Sequence, residues 1–249
     1  MIFIILPFKN VFAEESLNTT KEVHDKAIEL GYVQHVDNKL YVNKDIYNLA
    51  EKEIIDLYLQ EIESVNNLYE KNLVTITENL SIEPLDTEEV IKVVYKSSSN
   101  LEPSDITILS PDHGLPYINL VGLVTANRNE IETVYNDYLA LSRLGANINP
   151  WALTTGYWIG KVQEGGPWDY KRVSGFSPWY KQWWAYTYSG ERQITTEYIG
   201  NYNYGYTGEF LFSLNILYLG GQIANGLKFW EPEDQEDRNA IRDGYYDAK

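Results

Sequence analysis

The sequence predicts an α+β chain, predominantly helical, with a small helix/hairpin module in front of a larger helical domain. Three observations carry this reading. Apolar residues recur at steps of three and four over long stretches, as in Ile46, Leu49, Ala50, Ile54, Leu57, Ile62 and Val65. Short β-prone runs flank Asp37-Asn38 and Glu78-Asn79, which reads as two hairpins. The composition also changes near the midpoint. Residues 1–125 carry 9 Lys and no Arg against 21 Asp+Glu, whereas residues 126–249 carry 11 Lys+Arg against 15 Asp+Glu. All seven Trp lie in the second half and all three His in the first.

In order, residues 1–13 read as the end of a secretory signal. Their apolar run is too short to span a bilayer, and Val11 and Ala13 suit the −3 and −1 positions of a cleavage site. The acidic module covers 14–96. It holds a helix from Thr20 to Leu30, capped at Thr19 or Thr20 and stopped by Gly31, then a hairpin over Tyr32–Val42. A long helix from Asp45 to Lys71, a second hairpin over Leu73–Ile82 and a short helix from Asp86 to Tyr95 complete it.

Residues 97–124 read as a linker, opened by Ser97-Ser98-Ser99-Asn100, with a Ser110–Gly114 turn and a strand over Ile118–Val124. The second domain, 125–249, begins with helices over Asn127–Leu144 and from Pro150-Trp151 to Gly165-Gly166-Pro167. Residues 172–199 are rich in rings, Gly and Pro and suit irregular structure with a short hairpin. A helix capped by Thr207, from Gly208 to Asn225, is apolar nearly all round and predicts a central buried element. A last helix, Asp234–Tyr246, presents Ala240, Ile241, Gly244 and Tyr245 inward, with Asp237 one turn before Ile241.

The formal charge of −12 over residues 1–125, 9 Lys against 21 Asp+Glu, disfavours binding of the front module to nucleic acid or anionic membrane. With no Cys there is no disulfide framework. The second half has neither His nor Cys, so histidine-dependent nucleophilic triads and His-based metal sites are excluded within it. Acid–base work there falls to carboxylates, Lys or Tyr. The candidate catalytic residues are Asp169, Lys171, Glu197 and Asp237; Trp168, Asn201, Asn203 and Tyr204 are candidates for holding substrate. Asp234, Arg172 and Arg192 stand beside them. In an extended segment Asp169 and Lys171 would point to one side, about 7 Å apart, as a base beside a charge-stabilising cation. Each residue also has a structural alternative: Asp169 and the two Asn as turn-makers, Asp234 and Asp237 as helix-start acids, the Trp residues as core.

Three blocks together resemble the bacterial polymorphic toxin type 44 family: Gly165-Gly166-Pro167-Trp168-Asp169-Tyr170-Lys171, Gly200-Asn201-Tyr202-Asn203-Tyr204-Gly205-Tyr206-Thr207-Gly208, and Asp234 to Gly244. The resemblance covers about residues 125–249. It departs at Arg238, Tyr202, Tyr206 and Glu209, and its acidic front module differs from the giant toxins in which such domains usually sit. It implies a secreted effector, an expected ribonuclease activity, an immunity protein as partner, and roles for Asp169, Lys171, Asn203 and Asp237.

As a ribonuclease the chain would need no cofactor, with Asp169 or Glu197 as base and Lys171 stabilising phosphoryl charge. The alternative is Mg²⁺ held by Asp169, Glu197 and Asp237. Against RNA stands the local charge: residues 150–230 hold six Lys+Arg against five acids. An envelope glycan is the other substrate class, with Asp169 and Glu197 as acid and base and the rings as sugar platforms, in a hydrolase or a binding module. No transmembrane segment is expected.

Overall fold

The computed structural model of the chain describes residues 17–97, 108–109, 114–224 and 234–249. The expected signal, half of the expected 97–124 linker and the far end of the expected Gly208–Asn225 helix lie outside them. The described chain is α+β and predominantly helical. No described helix is long and apolar enough to cross a membrane.

The front follows local sequence rules closely. Helix α1 (Thr20–Glu29) starts in a reciprocal cap: Thr19 Oγ1 accepts from the Glu22 amide at 3.2 Å, and Glu22 Oε2 accepts from the Thr19 amide at 3.0 Å. Strands β1 (Val33–Val36) and β2 (Lys39–Val42) pair antiparallel. Asp37 and Asn38, at φ 47° and 64°, make the two-residue turn that matches strand twist. The expected long helix is shorter: Lys44–Asn48 form a 3-10 turn capped by Asn43, and α2 runs over Lys52–Glu70. Strands β3 (Val74–Ile76) and β4 (Ile82–Pro84) form the second hairpin. Leu80, at φ 64°, belongs to its turn rather than to a strand. Helix α3 (Thr87–Ser97) begins after Asp86, which exchanges hydrogen bonds with Glu89.

Strand β5 (Ile108–Leu109) pairs with β6 (Pro116–Asn119), and β6 leads straight into helix α4 (Leu120–Arg143). The apolar run Ile118–Val124 therefore splits between a strand and a helix. Asn119 divides it by accepting from the Gly122 amide at 2.9 Å. Helix α5 (Pro150–Val162) follows, capped by Asn149. Strands β7 (Gln182–Thr187) and β8 (Gly190–Thr195) form the expected hairpin and complete a sheet of order β5-β6-β7-β8, in which β6 and β7 are parallel.

The largest departure from the sequence expectation comes next. The Gly-Asn-Tyr repeat, whose two Asn had turn-making as their structural alternative, is a helix, α6 (Thr196–Gly208). Thr207 lies inside α6, its hydroxyl bonded back to the Asn203 carbonyl at 2.7 Å. Helix α7 (Leu214–Ala224) is not wholly buried, since Ile216 is 52% exposed. Helix α8 (Gln235–Asp247) is capped by Asp234, and its expected inner residues Ala240, Ile241, Gly244 and Tyr245 are buried.

One apolar core runs through the whole described chain, from Val23 and Ile55 through Ile131 and Leu153 to Ile199 and Ile241. Helix α2 packs on α4 and α3 on α5. Gly156 and Gly160 let α3 lie against α5: a Cβ at Gly160 would come within 2.7 Å of the Val94 Cβ. The front elements thus share a core with the aromatic-rich part.

Candidate active site

The site lies where a turn segment, α6 and α8 meet. Gly165, at φ 78°, and Gly166 turn the chain away from α5. A Cβ on Gly166 would come within 2.5 Å of the Lys161 carbonyl, so only glycine lets the chain double back there. Asp169 closes this loop. Its Oδ2 accepts from the Gly165 amide at 2.9 Å and from Arg172 at 2.8 Å, and its carbonyl accepts from the amides of Arg172 and Val173. The segment is therefore wound tightly rather than extended. Asp169 and Lys171 are not the side-by-side pair that an extended strand would give. Asp169 is 9% exposed and serves the loop, although it also lines the cleft.

Helices α6 and α8 cross with their backbones in contact. A Cβ on Gly205 would collide with the Ile241 carbonyl, and one on Gly244 with the Tyr202 carbonyl. Along this crossing, the α6 tyrosines at steps of four stack on one another. The Tyr198–Tyr202 and Tyr202–Tyr206 centroids are 5.7 and 6.2 Å apart. Their hydroxyls reach α8: Tyr198 donates to Asp243 at 3.3 Å and Tyr202 to Asp247 at 2.6 Å. Burial, opposed by the Arg192 guanidinium and helped by Asp243, pushes the Tyr198 hydroxyl up to about 12.

On the adjoining face of α6, Glu197 and Asn201 sit one turn apart. Lys171 pairs with Glu197 at 3.0 Å, and Asn201 Nδ2 donates to Asp237 Oδ1. Both Lys171 and Glu197 keep part of their surface in solvent, at 25% and 32%. The three sequence blocks thus bring Lys171, Asn201 and Asp237 together, and Glu197, just ahead of the second block, joins them in one polar cluster. A cleft of about 160 Å³ opens on one side, lined by Trp168, Lys171, Asn201 and Tyr204 among others. A hollow of about 200 Å³ opens on the other, lined by Arg192, Tyr198, Glu197, Asn201, Glu236 and Asp237. Asn201 belongs to both.

Burial raises the Asp237 carboxyl above its ordinary range. Lys171 opposes the rise, Glu197 and Asp234 add to it, and the Asn201 hydrogen bond opposes it. Glu197, by contrast, faces an ammonium group. Two carboxylates in one cleft with different neighbours is the arrangement from which an acid and a base are made. Arg192 adds a cation at the rim. Its guanidinium lies 4.6 Å from the Tyr198 ring centre, and its buried Nε has no hydrogen-bond partner among the described residues.

The remaining candidates divide. Trp168 and Tyr204 line the cleft, the Tyr204 hydroxyl donating to the Leu217 carbonyl at 3.1 Å. Asn203 is fully buried and faces the core, which corrects its expected substrate contact. Asn127 Nδ2 donates to Asn203 Oδ1 and to the Tyr170 hydroxyl, both at 2.8 Å, tying α6, α4 and the turn together. Asp234 caps α8 through the Glu236 amide at 3.0 Å. Among the described residues no group of three His, Cys, Asp or Glu gathers to hold a metal ion. The trio considered for Mg²⁺ does not fit, because Asp169 is turned to Gly165 and Arg172. Sequence reasoning did not single out Tyr198, Asp243 or Glu236. The matched four-residue steps Tyr198/Tyr202/Tyr206 and Asp243/Asp247 were the available signal. No family model, no curated protein and no solved structure matches the chain.

Proposed function

We propose that this cluster is the active site of a secreted, toxin-like hydrolase that cleaves RNA, as the resemblance of its three blocks to polymorphic toxin type 44 implies. The observation that carries the reading is the convergence of those blocks on Lys171, Asn201 and Asp237, with Glu197, from the same helix as Asn201, paired to Lys171. In this chemistry Glu197 takes the proton from a ribose 2′-hydroxyl, whose oxygen attacks the adjacent phosphorus. Lys171 and Arg192 stabilise the charge that grows on the phosphoryl oxygens. Asp237, whose carboxyl burial makes hold its proton more tightly than usual, gives a proton to the departing 5′-oxygen as the P–O bond breaks. The products are a 2′,3′-cyclic phosphate and a free 5′-hydroxyl. Asn201 holds Asp237 in place. On this reading a dedicated immunity protein would cover the cleft.

The test is incubation of the purified full chain with RNA, with and without chelator, beside Glu197→Gln and Asp237→Asn. Cleavage by the unaltered chain that both variants lose by roughly 10²–10⁴-fold supports the assignment. Cleavage unaffected by either substitution overturns it. Cleavage abolished by chelator alone moves the chemistry to a metal. A second reading, hydrolysis of an envelope glycan, is favoured by the pairing of two carboxylates, Glu197 and Asp237, beside acidic Glu236 at the rim. Release of soluble fragments from peptidoglycan, with RNA left intact, would select it.

A further inference from the structure

The outer face of the four-stranded sheet lies away from the core and carries a different chemistry from the cleft. Along β7 the side chains alternate: Trp183, Ala185 and Thr187 are buried, and Gln182, Trp184 and Tyr186 face outward. Register extends this face sideways. Tyr117 on β6 and Gln193 on β8 flank Trp184, and Glu191 on β8 flanks Tyr186. The rings are held in place. Glu191 accepts from the Tyr117 hydroxyl at 3.3 Å and from Trp184 Nε1 at 3.1 Å, so one carboxylate orients two rings. Beside them Gln193 Nε2 donates to Gln182 Oε1 at 3.0 Å. Tyr186 is 47% exposed.

From this face we infer a binding platform for an uncharged, β-linked glycan chain, separate from the cleft and independent of the reaction proposed there. Such a chain is a flat ribbon that offers C–H faces to rings and hydroxyls to amides. Trp184 and Tyr186 stand about 7 Å apart along the strand, and Tyr117 stands about 5 Å from Trp184 across it. Gln182 and Gln193 supply donors and acceptors between them. Charge selects against other occupants. Among the described residues of these rows the face carries no Lys or Arg, so an RNA or an anionic membrane finds no cation among them. The charged side chain among those described residues, Glu191, is already used by the two rings.

The experiment sediments the full chain with insoluble cellulose, chitin and β-1,4-mannan, then titrates soluble oligosaccharides of the one that binds. Tyr186→Ala and Trp184→Ala are the test variants, with circular dichroism checking the fold. Because Tyr186 is half exposed, its variant is the one expected to fold if Trp184→Ala does not. The expected result is co-sedimentation that survives high salt and weakens about tenfold or more in Tyr186→Ala, a loss of about 1.4 kcal/mol, with cleavage activity unchanged. Failure to bind all three glycans, binding indifferent to Tyr186→Ala, or a Tyr186-dependent dimer would each overturn the platform.

Discussion

At the scale of single residues, two aspartates of the same sequence pattern have opposite fates. Asp169 spends one oxygen on the Gly165 amide and the Arg172 guanidinium. Asp237 lies half-buried beside Asn201 with its proton held more tightly than usual. Asp169→Asn is therefore expected to lower stability by about 1–2 kcal/mol, through the weakened loop closure, and to leave turnover within a few-fold of the unaltered chain. Denaturant titration beside a turnover assay separates the two effects. Asp237→Asn should do the reverse. If Asp237 is the acid, activity must fall as pH rises through its raised pKa, because the unprotonated form has no proton to give. In the Asn variant that alkaline fall should vanish along with most of the rate. A pH–rate profile of both proteins reads this directly, and an unchanged alkaline limb would remove Asp237 from the chemistry. The candidates could be listed from the sequence by residue type alone. Which carboxylate was committed to a turn could not, because that depends on the tight winding at 169–173, which local composition does not encode.

At the scale of elements, the informative case is α6. Glycine and asparagine are poor helix formers, so Gly-Asn-Tyr-Asn-Tyr-Gly reads locally as turn. Tertiary packing overrides this. Gly205 and Gly244 let two helix backbones touch, and the tyrosine ladder then buries its rings while its hydroxyls reach Asp243 and Asp247. The same period of four in both segments was visible in the sequence, but only as a pair, since neither helix explains its own composition. Gly244→Ala would drive a methyl into the Tyr202 carbonyl, and helices cannot separate without breaking the ladder. The expected cost is about 3 kcal/mol, above the usual overpacking range's middle, although alanine is the better helix former. Tyr202→Phe, which leaves Asp247 without its 2.6 Å donor, should cost about 1–2 kcal/mol. Urea midpoints for both variants test the crossing, and a Gly244→Ala protein as stable as its parent would refute the close approach.

At the scale of the whole molecule, charge asymmetry suggested two separable parts, yet the core is shared. Net charge reports what a surface shows to solvent, and the acids of α2 and α3 sit mostly on outward faces while their apolar stripes meet α4 and α5. The periodicity that predicted those helices also predicted buried faces; what it left open was the partner. A fragment beginning at residue 114 would expose the faces of α4 and α5 now covered by α2 and α3. It is expected to aggregate or stay unfolded, and a soluble fragment with cooperative unfolding would restore the two-module view.

The shared interface also makes a pH prediction whose sign can be worked out. Glu61 and Asp137 are buried between the front and α4, and burial raises both above their ordinary 4.5 and 3.8. The fold holds these protons more tightly than the unfolded chain does. Their stabilising contribution is therefore full below the ordinary values and is lost as pH rises through the raised ones. His24, against the Tyr58 hydroxyl at 3.2 Å, is lowered from 6.5 by burial. Its contribution is present above 6.5 and is lost as pH falls through the lowered value. Between neutral and mildly acidic pH the two effects oppose, so acidification should move the melting temperature of the unaltered chain less than either effect would alone. In His24→Gln the opposition is gone, and acidification should raise the melting temperature, by about 2–4 °C for each kcal/mol of proton linkage. Adding Glu61→Gln to that variant should remove part of the rise. Melting curves of the three proteins across this range decide the matter, and a His24→Gln protein that loses stability on acidification would show that the buried carboxylates do not hold their protons as the packing of α2 on α4 requires.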